Sequence, residues 1–434
     1  MGFVAEAKRV LSTSQLEIDL SAVERNVRVI RRVLAAGHPP RGTSGQNDAA
    51  PAICAVLKAD AYGLGAARIA KRLTSCGVEM IAVYTPEQAR GLIEAAIAAP
   101  ILILMPMREL DRRDELYHAA SRSRLHLAVH DRENLSSLIE IADNLGLTLP
   151  VHLEVDTGLS RGGAEPREAM SLLARIDEHP RLRLAGLYTH FASGDSDGAF
   201  TLEQAERFAR LIRDAGDLVP ADCLVHQAST YSLFRDVRLH RRMVRVGLAL
   251  YGYASEEFEN PDEFGMLEEA ESLEPSVRWI SRVVHLKTID PGTPVGYGST
   301  WRAKRRTRIA LIPVGYADGY PRALSNKGRV AIEIEAEAGG NRVKAFAPII
   351  GRVSMDQITV DVTDLPDGSV KLGSVVEVIG KDRTAPNHLA TLAREAGTIC
   401  HELLCRLSPR LPRTYLTMTA LMDEHHTPKT CGVA

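Results

Sequence analysis

Between residues 15 and 251 the chain alternates, at intervals of roughly thirty residues, between short apolar β-type runs and amphipathic helical stretches. The runs lie at 15–20 (QLEIDL), 52–58, 79–84 (EMIAVY), 100–105 (PILILM), 124–129 (RLHLAV), 149–155 (LPVHLEV), 184–191 (LAGLYTHF), 222–226 (DCLVH) and 244–251 (VRVGLALY). Helical patterns such as 21–36, 86–97, 131–145 and 202–215 separate most of them. Strand and helix in strict alternation imply βαβ units in a parallel sheet. Some eight units in about 240 residues is the size of a TIM (β/α)8 barrel. A doubly wound sheet is the competing arrangement, but no G-x-G-x-x-G follows the first run. After about residue 270 the β-type runs, at 277–289, 307–315, 341–349, 356–362 and 374–379, follow one another with little helix. The expected architecture is therefore α/β, with a (β/α)8 barrel over 15–270 and a mainly β C-terminal domain over 271–420. Residues 1–14 are a candidate addition to that second domain, 421–434 read as a polar tail, and 38–51 (HPPRGTSGQNDAAP) read as an exposed loop.

Composition narrows the function. A net charge of −2 gives no reason to expect nucleic acid or an anionic membrane as partner. The longest apolar stretch, around 95–107, is broken by Pro100 and Pro106 and falls short of the about twenty residues that span a bilayer. The opening decapeptide lacks the continuous apolar core of a signal peptide, and Glu6 departs from the myristoylation pattern. Cys54, Cys76, Cys223, Cys400, Cys405 and Cys431 are scattered, with no C-x-x-C pair, so neither a metal site nor a disulfide framework is expected. A reduced, cytoplasmic setting fits best.

In a barrel of this kind chemistry sits at the C-terminal ends of the strands. Lys58 ends the second run and is followed by the small, glycine-containing loop Ala-Asp-Ala-Tyr-Gly-Leu-Gly. A lysine at the inner end of a buried strand is costly unless it has a partner or a purpose, and a lysine of lowered pKa can form a Schiff base with a carbonyl. The run at 149–155 leads into Asp156, Thr157, Gly158 and Arg161. His190 lies in the run at 184–191, His226 ends the run at 222–226, and Arg245 and Gly247 lie in the ninth run.

These residues carry a resemblance to the alanine racemase family, the fold-type III pyridoxal-phosphate enzymes. The matching stretches are AVLKADAYGLG (55–65), HLEVDTGLSRGG (152–163), LYTHFASGD (187–195), MVRVGLALYG (243–252), VGYGSTW (295–301), IPVGYADGYPR (312–322), GRVSMDQITVDV (351–362) and RLPRTY (410–415), in the family's order. The resemblance implies a barrel and a β domain in a head-to-tail homodimer, each active site being shared between one barrel and the partner's β domain. Lys58 matches the lysine that holds pyridoxal phosphate. Tyr62, Thr230, Gly247 and Leu248 match phosphate contacts; Gly247 alone would read as a tight turn. Arg245 matches the arginine facing the pyridine nitrogen. A guanidinium stays charged and disfavours a protonated ring nitrogen, which suits simple proton exchange. His190 and His226 match family histidines beside the ring, and either could instead be a satisfied core side chain. Arg161 matches the arginine that meets the cofactor's phenolic oxygen and the substrate carboxylate. Met355 (through its N–H), Tyr316 and Arg322 match residues of the substrate site and its entrance.

Racemisation removes a proton from one face of the α-carbon and returns it to the other, which two bases do most directly. The resemblance supplies Lys58 and Tyr297 of the partner subunit as those bases, with His190 stabilising the tyrosine's phenolate. The implied reaction interconverts L- and D-alanine, in the family usually for peptidoglycan precursors. The chain departs from the pattern at Glu154, where many members carry a carbamylated lysine; a permanent carboxylate there is expected to orient Arg161. It departs also at Asp60, Leu64, Ser229, Ser354 and His401. The last replaces a tyrosine that touches the phosphate and lines the substrate's methyl pocket, so tolerance of serine or other small amino acids is the alternative reading. A decarboxylase on the same scaffold is the more distant one; it would place a carboxylate where Arg245 stands and carry a glycine-run phosphate loop.

Overall fold

The computed structural model describes residues 13–37, 50–335 and 342–417, in two compact units. Most of the 38–51 loop, the first twelve residues and the 421–434 tail lie outside the described residues.

The first unit, residues 20–275, is a closed barrel of eight parallel strands. Taking Gln15–Asp19 as β1, the barrel strands are β2 (Ala52–Val56), β3 (Met80–Val83), β4 (Ile101–Ile103), β5 (Leu125–Val129), β6 (Leu149–Glu154), β7 (Leu182–Tyr188), β8 (Leu224–His226) and β9 (Met243–Val246). The barrel closes where β2 pairs with β9, Cys54 opposite Arg245. β3, β4, β5 and β6 are buried along their whole length, the mark of strands packed on both faces. Local chemistry starts the helices that cover them. Thr85 and Gln88 form a capping box ahead of Pro86, Asp131 caps the helix Arg132–Leu145, and Gly146, at φ +67°, ends that helix.

The second unit holds residues 13–19 and 276–417. β1 is in this unit and not in the barrel. It pairs antiparallel with β10 (Val277–Arg282), Leu16 opposite Trp279, and parallel with the C-terminal strand Arg413–Leu416. The reason is visible in its side chains. Leu16 and Ile18 are fully buried while Gln15 and Glu17 are half-buried, an alternation suited to a sheet wetted on one face. The predicted run at 277–289 is also two strands in two sheets. β10 joins a six-stranded sheet, and β11 (His285–Ile289) pairs with Thr307–Ile312 in a three-stranded one.

Candidate active site

The barrel's functional residues gather at the C-terminal ends of β2, β6, β7, β8 and β9. Lys58 follows Leu57 directly after β2, and the next four residues turn the wrong way. Ala59, Asp60, Ala61 and Tyr62 have φ between +53° and +60°, one turn of left-handed helix with no glycine in it. Such a conformation costs an L-residue roughly 1–2 kcal/mol. The surroundings hold it: Ala61 and Tyr62 are buried, the Gly65 N–H donates to the Asp60 carbonyl at 3.0 Å, and the Ala66 N–H donates to Asp60 Oδ1 at 2.7 Å. Strain of this kind is kept where function over-determines the backbone.

The turn delivers Tyr62 to Gly247. A Cβ on Gly247 would stand 2.1 Å from the Tyr62 hydroxyl, so only glycine allows the approach. The N–H groups of Gly247 and Ala249 both reach Thr230 Oγ1 at 3.3 Å. The Tyr62 and Thr230 hydroxyls thus gather with the Gly247 and Ala249 N–H groups on either side of Leu248. This is the chemistry of an anion cradle.

Arg245, only 5% exposed, is the hub of the site. One Nη donates to His226 Nδ1 at 2.8 Å and to the His226 carbonyl at 3.2 Å. The other donates to the Thr189 carbonyl at 2.8 Å and to His190 Nδ1 at 3.1 Å. Its guanidinium carbon lies 5.0 Å from the centre of the Tyr188 ring, which stacks on His226. Burial, with Arg245, Arg161 and Lys58 adding their charges, holds the His190 pKa well below the ordinary histidine value. His190 therefore shares one electrostatic field with all three cations. Arg161 itself is exposed, on a loop in which Asp156 Oδ1 accepts the N–H groups of Gly158, Leu159 and Ser160.

Glu154 makes no ion pair with Arg161 among the described residues. As the last residue of β6, opposite Tyr188 in register, it accepts the Tyr188 hydroxyl at 2.8 Å and lies 3.3 Å from His130 Nδ1. Arg161 stands instead on the exposed loop built on Asp156. The sequence reading also missed a column of histidines behind Arg245. His226 Nε2 lies 3.0 Å from His152 Nδ1, and His152 Nε2 lies 2.8 Å from His126 Nδ1. The available signal was histidine in otherwise apolar, fully buried strands, at RLHLAV and PVHLEV.

The other expected residues lie in the second unit. Tyr297 is 70% exposed, between Gly296 and Gly298, both at positive φ and both packed on Arg352. Tyr316 and Met355 are exposed on adjoining loops, tied by Tyr316 N–H to the Ser354 carbonyl and Ala317 N–H to the Met355 carbonyl, each 3.0 Å. Arg322 is exposed at the start of the turn whose Ser325 hydroxyl accepts the Val353 N–H. His401 is half-buried in the helix Cys400–Cys405.

Comparison with known proteins fixes the class first. The family models "Alanine racemase, N-terminal domain" and "Alanine racemase, C-terminal domain" match residues 18–255 and 276–415. Alanine racemases of Halothermothrix orenii and Methanococcus maripaludis are 34% and 33% identical, covering 94% and 92% of this chain and 98% of each relative. The crystal structure of alanine racemase from Streptomyces lavendulae superposes with a TM-score of 0.78 at 27% identity, over 96% of this chain and 99% of that one. That of Bartonella henselae, with covalently bound pyridoxal phosphate, gives 0.73 at 27% identity, over 93% and 100%. Barrel and β unit are thus the scaffold of a pyridoxal-phosphate-dependent amino-acid racemase. Within that class, the chain belongs to the alanine racemase family.

Proposed function

We propose that the protein interconverts L- and D-alanine by two-base proton exchange, in a homodimer whose active sites pair one barrel with the partner's second unit. The carrying observation is the Arg245 hub. A buried guanidinium with four neutral acceptors, and no carboxylate in hydrogen-bond contact, suits proton exchange rather than decarboxylation.

The residues present fit the cofactor. Tyr62, Thr230, Gly247 and Leu248 would hold its phosphate, Arg245 its ring nitrogen, and Lys58 would bind it covalently. Bound there, pyridoxal phosphate supplies the electron withdrawal that acidifies the amino acid's α C–H. Lys58 takes or returns the proton on one face, and Tyr297 of the partner subunit does so on the other. A phenol of pKa near 10 needs a donor to serve as base. Arg245 occupies His190 Nδ1, so the neutral His190 carries its proton on Nε2 and can supply that bond. Arg161, with the Met355 N–H of the partner subunit, steadies the substrate carboxylate, Tyr316 and Arg322 serve the entrance, and His401 stands where the phosphate and the substrate's side chain would be met. The exposure of Tyr297 between two hinge-like glycines supports service to another chain. The scattered cysteines, with no C-x-x-C pair, fit a reduced, cytoplasmic setting.

The test incubates the enzyme with L-alanine and with L-serine in deuterated water. Deuterium at the α-carbon and appearance of the D-enantiomer are expected, alanine ahead of serine; loss of the carboxyl group as carbon dioxide overturns the reading. Sharing is tested by co-expressing Lys58→Ala and Tyr297→Phe chains. Mixed dimers should regain activity, since one of their two sites would have both bases, and no recovery would exclude the shared site.

A further inference from the structure

The histidine column behind Arg245 has no role in the exchange just described, yet its atoms are ordered in one direction. A guanidinium can only donate. His226 Nδ1, at 2.8 Å from Arg245, must therefore be bare. Burial lowers the pKa of His226 and His152 well below the ordinary value and that of His126 to about 4, so each is neutral with one N–H. The His226 proton then sits on Nε2 and is donated to His152 Nδ1 at 3.0 Å. His152, in turn, donates from Nε2 to His126 Nδ1 at 2.8 Å. That leaves the His126 proton on Nε2, at the far end of the column.

A second observation is independent of proton placement. β7 lies between β6 and β8, and its residue beside His152 is Gly186. A Cβ there would stand 2.1 Å from His152 Nδ1, the atom that receives the His226 proton. The barrel wall is left open where the column passes. The column is not a proton wire, because it ends on a guanidinium that does not release its proton.

We propose that His126 and His152 are positioning residues of the racemase site: they lock His226 with its bare Nδ1 toward Arg245 and so fix the guanidinium at the barrel mouth. The consequence for turnover rests on the reading of Arg245 as the cofactor's partner; the ordering of protons does not. In His126→Leu the His152 Nε2–H loses its acceptor. Moving that proton to Nδ1 sets N–H against N–H at His226, and the fault reaches Arg245. Leaving a buried donor unpaired is expensive enough to lower kcat about tenfold, with KM within about twofold.

The experiment records ring-nitrogen NMR of the 15N-histidine-labelled holoenzyme. Bare Nδ1 and protonated Nε2 are expected at His126, His152 and His226. In His126→Leu the His226 signals should move and kcat fall, and His126→Gln, which restores an acceptor, should recover most of the loss. A protonated Nδ1 at His152 or His226 in the wild type overturns the assignment without any variant having to fold. Wild-type kcat in a folded His126→Leu enzyme overturns the positioning role. A wild type with these tautomers but no racemase activity would instead point to failure of the functional reading.

Discussion

Gly247→Ala probes the phosphate cradle with a single methyl group. Its Cβ would fall 2.1 Å from Tyr62 Oη and 3.0 Å from Cζ, against 3.4 Å for ordinary contact, so the hydroxyl must retreat by about 1.3 Å. Tyr62 cannot retreat freely. It is buried, set edge-on to Tyr251 at 5.4 Å, and sits on the left-handed turn. Overpacking of this kind costs about 1–3 kcal/mol, and 2 kcal/mol corresponds to roughly a thirtyfold loss of cofactor affinity. In a Tyr62→Phe background the nearest atom becomes Cζ, and the overlap shrinks to about 0.4 Å. The same methyl group should then cost well under 1 kcal/mol. Fluorescence titration of the four apoenzymes with pyridoxal phosphate closes the double-mutant cycle. A coupling of at least about 1 kcal/mol is expected; additivity within about 0.5 kcal/mol would refute the claim that glycine is there to admit the tyrosine.

Other perturbations address other parts of the argument. Ala59→Gly, at φ +53° on an exposed residue, should stabilise the protein by about 0.5–1 kcal/mol in urea, whereas Ala67→Gly in the ordinary helix beside it should cost about 1 kcal/mol; equal losses would deny the left-handed strain. The buried histidines have folded pKa values below their unfolded one, so the unfolded chain takes up more protons and stability must fall as pH drops through 6.5. For His126, at about 4, the loss between pH 7 and 5 is about 2 kcal/mol, and a flat urea midpoint over that range would contradict the neutral column. Glu154→Gln leaves Tyr188 an acceptor but removes the anion, so kcat should fall while cofactor affinity stays within about twofold; unchanged turnover would make the charge irrelevant. His401→Tyr should lower the serine-to-alanine ratio of kcat/KM about three- to tenfold, and an unmoved ratio would remove His401 from substrate choice.

The barrel was legible because parallel strands buried on both faces are written as unbroken apolar runs. All eight barrel strands fall on predicted runs. β1 was misassigned for the same reason: its first and third residues, Gln15 and Glu17, already broke the pattern, and that alternation was the sign of the other sheet. Lys58, Arg245, His190 and His226 could be singled out because charged or titratable side chains at the ends of such runs need partners. Which partners they take was not readable. Glu154 and Arg161 are seven positions apart in sequence, but strand register sets the first beside Tyr188 while the second stands on the exposed loop built on Asp156. The histidine column was hidden because its members come from three different strands, and only the barrel's closure brings β5, β6 and β8 within hydrogen-bond range through the gap at Gly186.

Barrel interiors of this size are usually filled by branched aliphatic side chains. Here one sector is apolar but built mostly of other side chains: Cys54, Val56, Met80, Ala82, Leu102 and Met243 pack together from β2, β3, β4 and β9. β5, β6, β7 and β8 contribute His126, His152, Glu154, Tyr188 and His226, and β9 adds Arg245. Burial lowers the Arg245 pKa from its ordinary value, and the nearby Glu154 and Tyr188 only oppose that shift from a distance. A bonded carboxylate would stabilise the guanidinium more, but would also spend its charge. Neutral imidazoles satisfy its hydrogens and leave the charge available to whatever faces it. The same choice obliges the barrel to carry the column, since each neutral imidazole that accepts on one side must donate on the other. Arg245→Met should therefore leave His226 Nδ1 without a donor and release the order of protons behind it, and ring-nitrogen NMR of that variant should show mixed tautomers at His226 and His152. A single retained tautomer would mean that the column is ordered from the His126 end, and that the cation follows the histidines rather than directing them.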